Sequence, residues 1–278
     1  MRKNRLVAPV LKWVGGKRQL IDDIAPLLPD RFSLYCEPFV GGGALLFELQ
    51  PKEAFINDIN DELMRVYSVI KNDVEALILA LVDFKNEADH FYSVRDWDRD
   101  KEKYASLPDV TKAARILYLN KTCYNGLFRV NSSGEFNSPF GNYRNPNIVN
   151  APTLRAVSSY LNTAAVKMTT LDYSEVLAKQ PKGAFVYLDP PYDPVSDSSS
   201  FTGYAKGGFT RDDQIRLRDC CDDLDRRGLK FMLSNSATGF IKDIYSKYGI
   251  TTVKAKRAIN SDSTKRGEID EVVIRNYG

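Results

Sequence analysis

Ala184-Phe185-Val186-Tyr187-Leu188-Asp189-Pro190-Pro191-Tyr192 is the stretch from which the rest of the chain can be read. Five consecutive apolar residues suit a strand buried on both faces, as in a parallel sheet. The run stops at a carboxylate, and open α/β sheets place their sites beyond the carboxyl ends of strands. Pro190 and Pro191 hold φ at about −65° and force an extended path. That stiffness sets a side-chain carboxylate beside a backbone carbonyl. Two adjacent acceptors suit an exocyclic amino group, which has two N–H donors. With both hydrogens held, the nitrogen lone pair can leave conjugation with its ring and face an electrophile. Tyr192 then offers a flat face on which a base can stack. Such chemistry is positioning and electrostatics and requires no covalent nucleophile. The plainer alternative is a polar turn after a strand.

Working outward, residues 31–60 have the same α/β character. Ser33-Leu34-Tyr35-Cys36 reads as a strand, Gly41-Gly42-Gly43 as a turn, Ala44 to Leu49 as a helix, and Ala54-Phe55-Ile56 as a second strand ending at Asn57-Asp58. Periodic apolar residues (Leu63, Val66, Tyr67, Ile70, Leu77, Leu81) predict helix over 61–82. Beyond Leu188, the charged segment from Gln214 to Arg227 reads as an amphipathic helix and Leu229 to Ser234 as a strand. Thr251 to Ala255 and Glu271 to Arg275 read as a closing antiparallel pair, with residues 256–268 as a mobile loop between them.

Residues 84–150 differ, being rich in charge, aromatics and asparagine. Val110 to Leu119 predicts one helix, and two β-prone runs around Ser132-Ser133-Gly134 predict a hairpin. From Lys112 to Arg144 there are five basic residues (Lys112, Arg115, Lys121, Arg129, Arg144) against one acidic, Glu135, with aromatics interleaved. This is the most nucleic-acid-like stretch of the chain. A solvated basic face beside a hairpin core would give the same composition.

The whole chain bounds these readings. It has 278 residues, 39 Lys+Arg against 36 Asp+Glu, one histidine and four cysteines. A chain of this size can bury roughly three-quarters of its extended surface without disulfide or metal staples. Cys36, Cys123, Cys220 and Cys221 form no C-x-x-C pair and read as free thiols in a reducing cytoplasm. No apolar run is long enough to span a bilayer, and no signal core follows the basic N-terminus. The lone His90 excludes a histidine-clustered zinc site and disfavours a Ser-His-Asp triad. A net charge of +3 does not identify a nucleic-acid partner by itself.

Three further motifs carry chemistry. In Glu37-Pro38-Phe39-Val40-Gly41-Gly42-Gly43, glycines between strand and helix let backbone approach a ligand. Asp58 follows at about the interval at which a second-strand carboxylate takes ribose hydroxyls. The six residues from Gly41 read Gly-Gly-Gly-Ala-Leu-Leu and not G-x-G-x-x-G, so a nucleoside cofactor without a pyrophosphate fits better. Lys12-Trp13-Val14-Gly15-Gly16-Lys17 fails as a phosphate loop, because Leu11 stands where a glycine is required and Arg18 where a Ser or Thr is required. It leaves Trp13 as an apolar lid and Lys17 as a carboxylate partner for an amino-acid-like ligand end, or a structural turn with a core Trp. In Thr169-Thr170-Leu171-Asp172-Tyr173, Asp172 suits either an adenine amino group or a helix N-cap.

In this order the motifs resemble the Dam family of DNA adenine-N6 methyltransferases, over about Leu11 to Tyr277. The resemblance rests on Lys12-Trp13 with Gly15-Gly16-Lys17, Glu37 to Gly43, Ile56-Asn57-Asp58, Tyr124-Asn125-Gly126-Leu127 with Arg129, Phe136-Asn137 with Pro139, and Asp189 to Tyr192. It implies a Rossmann-like α/β catalytic domain over 1–83 and 151–278. A mainly helical target-recognition insertion with a β-hairpin is implied at 84–150. It implies S-adenosylmethionine as methyl donor and no metal, with Trp13, Lys17, Glu37, Phe39, Gly41, Gly43, Asp58, Asp172 and Asp189 at cofactor positions. Asp58 is expected on the ribose and Asp172 at the cofactor adenine. Asp189, Pro190, Pro191 and Tyr192 fall on the catalytic motif. Tyr124, Asn125, Leu127, Arg129 and Pro139 fall on DNA positions. Tyr124 would fill the duplex beside a flipped adenine, and Leu127, Arg129 and Pro139 would read bases. The implied substrate is double-stranded DNA at GATC, and the implied protein is a cytoplasmic monomer. A restriction endonuclease could share its system without touching it. Some relatives have a basic residue after the hairpin glycine, where this chain has Asn142. The two-acceptor geometry alone would also serve an N4-cytosine or RNA amino methyltransferase. A catalytically silent DNA-binding module is the alternative from another class.

Overall fold

The structure, a computed structural model, describes residues 3–13, 15, 17, 20–195, 208–256 and 268–278. Val14, Gly16, Ser198 to Ser200 and residues 257–267 of the expected mobile loop lie outside the described residues. Seven strands are described: β1 Leu34–Glu37, β2 Ala54–Asn57, β3 Val166–Thr169, β4 Ala184–Leu188, β5 Lys230–Ser236, β6 Gly249–Lys256 and β7 Glu268–Arg275. The chain divides into two compact units. One comprises Met1–Gly16, Gly41–Lys52 and Asp58–Thr170, and the other Lys17–Val40, Glu53–Asn57 and Leu171–Gly278.

The second unit holds six of the strands, in the order β2-β1-β4-β5-β7-β6. β2, β1, β4 and β5 run parallel, and β7 pairs antiparallel with both β5 and β6. The expected closing antiparallel pair is therefore β6 with β7. Every residue of β4 is buried, as its unbroken apolar sequence requires. Cys36, Val186, Leu188, Phe231, Leu233, Val272 and Ile274 share one core with Leu217, Cys221 and Leu224. The last three lie on the helix Arg211–Arg226, spaced so that one stripe of an otherwise charged helix faces inward. That helix starts three residues before the predicted Gln214. Thr210 and Asp213 form a reciprocal capping box that ends the chain's extended approach.

The first unit is mainly helical. The helix Asp109–Thr122 packs against the helices Asp61–Asn72, Val74–Val82 and Ala88–Arg95. The helical stretch expected over 61–82 is present as two helices, separated at Asp73, whose φ of −148° and ψ of 42° leave the helical region. The expected hairpin is present as two isolated antiparallel bridges, Val130 with Phe136 and Cys123 with Phe140. Tyr124 to Gly126 forms a single 3₁₀ turn, with Asn125 at φ 58°.

Candidate active site

The second unit places Asp189 immediately beyond β4, beside the end of β1, since Cys36 pairs with Val186 across the two strands. The Lys17 ammonium lies 3.0 Å from Asp189 Oδ1 and 3.9 Å from Glu271 Oε2. It also sits 4.2 Å from the centroid of the Tyr192 ring, an attractive cation–π arrangement. The Tyr192 hydroxyl donates to Glu271 Oε2 at 2.8 Å. Asp189, Lys17 and Tyr192 are thus brought together, with Glu271 as a fourth member. Burial pushes the Asp189 carboxyl up to about 6 and Glu271 adds to the rise, while Lys17 and Tyr192 oppose it.

Beyond Asp189 the chain is held by hydrogen bonds. Gln214 Nε2 donates to the Pro191 carbonyl at 2.8 Å, and Gln214 Oε1 accepts from Asn235 Nδ2 at 3.1 Å. Asn235 Oδ1 accepts from the Asp193 amide at 3.1 Å, and the Ser236 hydroxyl donates to the Asp193 carbonyl at 2.6 Å. The buried Asp193 carboxylate accepts from Thr238 and pairs with Arg211. Of the two proline carbonyls in the motif, Pro191's is taken by Gln214. The Pro190 carbonyl is taken by no donor among the described residues.

Neighbouring strand ends complete this unit's polar edge. Glu37 ends β1, buried, and accepts from the Tyr35 hydroxyl at 2.9 Å. Phe39 packs on Tyr173 and Phe209, with ring centroids 5.2 and 6.2 Å away. Asn57 ends β2 and bonds the Pro38 carbonyl and both backbone groups of Leu171. It thereby fixes the segment that leads to Asp172. Asp172 caps the helix Tyr173–Ala178 through Ser174 and takes both terminal nitrogens of Arg216. The capping reading of Asp172 is therefore realised in the fold.

In the first unit the glycine turn and Asp58 form one cluster. The Gly41 amide donates to Asp58 Oδ2 at 3.0 Å and the Asn60 amide to Oδ1 at 3.0 Å. Burial raises the Asp58 carboxyl to about 6 even though both amide bonds favour its charge. Gly43, at φ 66°, precedes the helix Ala44–Leu49, and a Cβ there would lie 2.9 Å from Phe47 and 3.0 Å from the Tyr67 hydroxyl. Only glycine serves that position. Tyr67 in turn donates to the Gly41 carbonyl. Ile59, next to Asp58, is 62% exposed. Trp13 stacks on Phe128 at 4.8 Å between centroids.

The DNA-position residues all lie in the first unit, on or beside the hairpin. Tyr124 is 57% exposed, and its amide donates to the Pro139 carbonyl. The Leu127 carbonyl accepts from the Ser138 hydroxyl. Exposed Arg129 donates through Nε to Asn137 Oδ1 at 2.8 Å, which orients its guanidinium along the hairpin. The basic count of this stretch overstates its DNA-facing charge. Arg115 is buried against Asp98 at 2.8 Å and the Arg95 and Val94 carbonyls, and buried Lys112 donates to the Ala105 carbonyl.

Sequence reasoning did not find Glu271, Gln214, Asn235 or Ile59. The first three act across long separations in the chain. Ile59 carried a usable signal, an apolar side chain between two polar turn residues.

A family model described as D12 class N6 adenine-specific DNA methyltransferase matches residues 13–259. The chain is 41% identical to the type II methyltransferase M1.LlaDCHI of Lactococcus lactis subsp. cremoris, over 100% of this chain and 99% of the relative. It is 44% identical to the type II methyltransferase M.MjaIII of Methanocaldococcus jannaschii, over 98% and 99% of the two chains. It is 32% identical to the DNA adenine methylase of Escherichia coli K12, over 98% and 95%.

Proposed function

The chain belongs to the D12 class of N6 adenine-specific DNA methyltransferases, and from that premise we propose that it methylates adenine within double-stranded GATC, using S-adenosylmethionine. The observation that carries the catalytic assignment is the strand-end cluster of Asp189, Lys17 and Tyr192, with one proline carbonyl tied back and the other facing no donor among the described residues. The donor supplies a methyl group on a sulfonium, already an electrophile. The residues present fit its parts. Asp58, whose oxygens keep lone pairs beyond the two amide bonds, suits the ribose hydroxyls. Gly41 and Gly43 keep the turn low, Ile59 and Trp13 offer apolar surface, and Glu37 and Phe39 line the end of β1. Lys17 is assigned to the carboxylate of the methionine end. Asp172 Oδ2 keeps a lone pair beside Arg216 for an amino group.

In this reading the target adenine leaves the duplex, because its amino group is otherwise paired and stacked. Tyr192 stacks on the extruded ring. Asp189 and the Pro190 carbonyl accept its two N–H groups, and Asp189 takes up the proton that the nitrogen sheds. Its raised acidity range suits a proton acceptor working near neutrality. Residues 84–150 act as the target-recognition segment and 1–83 with 151–278 as the catalytic one. Tyr124 and Asn125 fill and brace the duplex, while Leu127, Arg129 and Pro139 read base edges. The enzyme works as a cytoplasmic monomer, with or without a cognate endonuclease in its system.

The test is transfer of tritium from labelled S-adenosylmethionine to duplexes carrying GATC or each single-base variant, followed by nucleoside analysis. Labelled N6-methyladenine from GATC alone is expected. Equal labelling of the variants would overturn the sequence assignment, and labelled N4-methylcytosine the base assignment.

A further inference from the structure

Two of the hydrogen bonds beyond Asp189 meet at Gln214. Gln214 is 1% exposed, and both polar atoms of its side chain are committed. Its Nε2 donates to the Pro191 carbonyl and its Oε1 accepts from Asn235. Asn235 is wholly buried and returns to the same loop two residues later, accepting from the Asp193 amide. The helix Arg211–Arg226 and the strand β5 therefore grip the backbone on both sides of Tyr192. None of these bonds touches Asp189 itself, which keeps its own partner in Lys17. A side-chain amide is the group this position needs, because it must donate to one carbonyl and accept from another amide at once.

We propose that Gln214 is a positioning residue for methyl transfer, holding the Pro190-Pro191 backbone so that the Pro190 carbonyl meets the target amine. The inference rests on the reading of Asp189 to Tyr192 as the active site. Rotating the Pro191 peptide would turn its neighbour's carbonyl away from the amine. The lone pair would then remain partly conjugated with the ring. Base binding by Tyr192 and the Lys17–Asp189 pair would survive, so chemistry should fail while binding persists.

Two substitutions separate this from a packing role. Gln214→Leu removes both hydrogen bonds at similar volume. Gln214→Glu keeps the acceptor for Asn235 but, as a carboxylate, cannot donate to Pro191. Both are expected to lower the single-turnover methylation rate about 10- to 100-fold at saturating donor and duplex, the scale of a small misplacement at a reacting centre. Dissociation constants for S-adenosylhomocysteine and for the duplex should stay within about twofold, a loss confined to the reacting step. A 2-aminopurine at the target position should still report extrusion of the base. Asn235→Ala should add little in the Gln214→Leu background, because the two act through one chain of bonds. Rates like those of the unmodified enzyme would overturn the proposal. So would a parallel fall in rate, both affinities and melting temperature, which marks packing alone. Gln214→Glu, nearly isosteric, decides the matter if Gln214→Leu does not fold. Asp189→Ala measured alongside separates the two readings. If it kept full rate, the active-site assignment would fail, whatever Gln214 does.

Discussion

Asp58 and Asp189 are both pushed up to about 6 by burial, yet they answer to different neighbours. Asp58 is steadied by two backbone amides, Asp189 by the Lys17 ammonium. Each must be ionised for its proposed task, so activity is lost as pH falls through about 6. At saturating donor only the Asp189 titration should remain in the rate of methyl transfer. At limiting donor both should appear, giving a steeper acid limb. Asp58→Ala should remove one of the two limbs and weaken donor binding by about 1–3 kcal/mol, the range for a lost charged acceptor. Asp189→Ala should lower the transfer rate on the order of 10²- to 10³-fold. Single-turnover rates against pH, with calorimetry of S-adenosylhomocysteine binding, check both. An acid limb of equal steepness at limiting and saturating donor would remove Asp58 from the cofactor. Stability should move the other way. Both carboxyls bind protons more tightly folded than unfolded. Their contribution is therefore full below the ordinary carboxylate range of about 4 and lost as pH rises through about 6.

At the scale of elements, the strand ends were legible and their supports were not. The unbroken run Ala184 to Leu188, closed by two prolines, suits a buried strand, and its carboxylate end fell where such sheets place sites. The helix break at Asp73 was hidden because the apolar period continues through it, from Ile70 to Leu77. The hydrogen bonds from Gln214 and Asn235 were hidden because a lone amide in a charged helix or a buried strand has no periodic signature. The same blindness applies to the hairpin's anchor. Buried Asp98 accepts from the Phe136 amide at 2.8 Å and pairs with Arg115, while Arg99 bonds its other oxygen and the Phe136 carbonyl. Arg115 stands on the face of its helix that also carries buried Tyr118 and Leu119, so its charge is structural. Asp98→Ala leaves that guanidinium buried without its carboxylate, and a loss of about 3–5 kcal/mol is expected. Chemical denaturation measures it. A loss below about 1 kcal/mol, the level of exposed ion pairs, would mean that the pair is solvated in solution.

Over the whole molecule, 39 basic against 36 acidic residues leave little field to hold a polyanion. With Arg115 and Lys112 committed to the interior, the basic stretch from Lys112 to Arg144 keeps Arg129 and Arg144 as its exposed arginines. The logarithm of affinity falls with the logarithm of salt by about 0.9 for each phosphate neutralised. A shallow salt slope is therefore expected, and recognition must lean on base contacts. Arg129 is proposed to make one. Its Nε donates to Asn137 Oδ1 and one terminal nitrogen reaches the Asn137 carbonyl at 3.4 Å across the hairpin, which leaves the other terminal nitrogen and the second hydrogen of the first to point toward guanine O6 and N7. Such a pair discriminates by about 1–3 kcal/mol against the wrong base. Arg129→Ala should therefore lose its preference at one guanine of the site and leave the salt slope unchanged. Arg144→Ala, if it meets a phosphate, should lower the slope by about one unit and weaken all sequences alike. Methylation rates on GATC and its single-base variants, each at several salt concentrations, separate the two behaviours. A uniform loss with a reduced slope in Arg129→Ala would reassign Arg129 to the phosphate backbone, and no change at all would leave it a solvated charge of the hairpin.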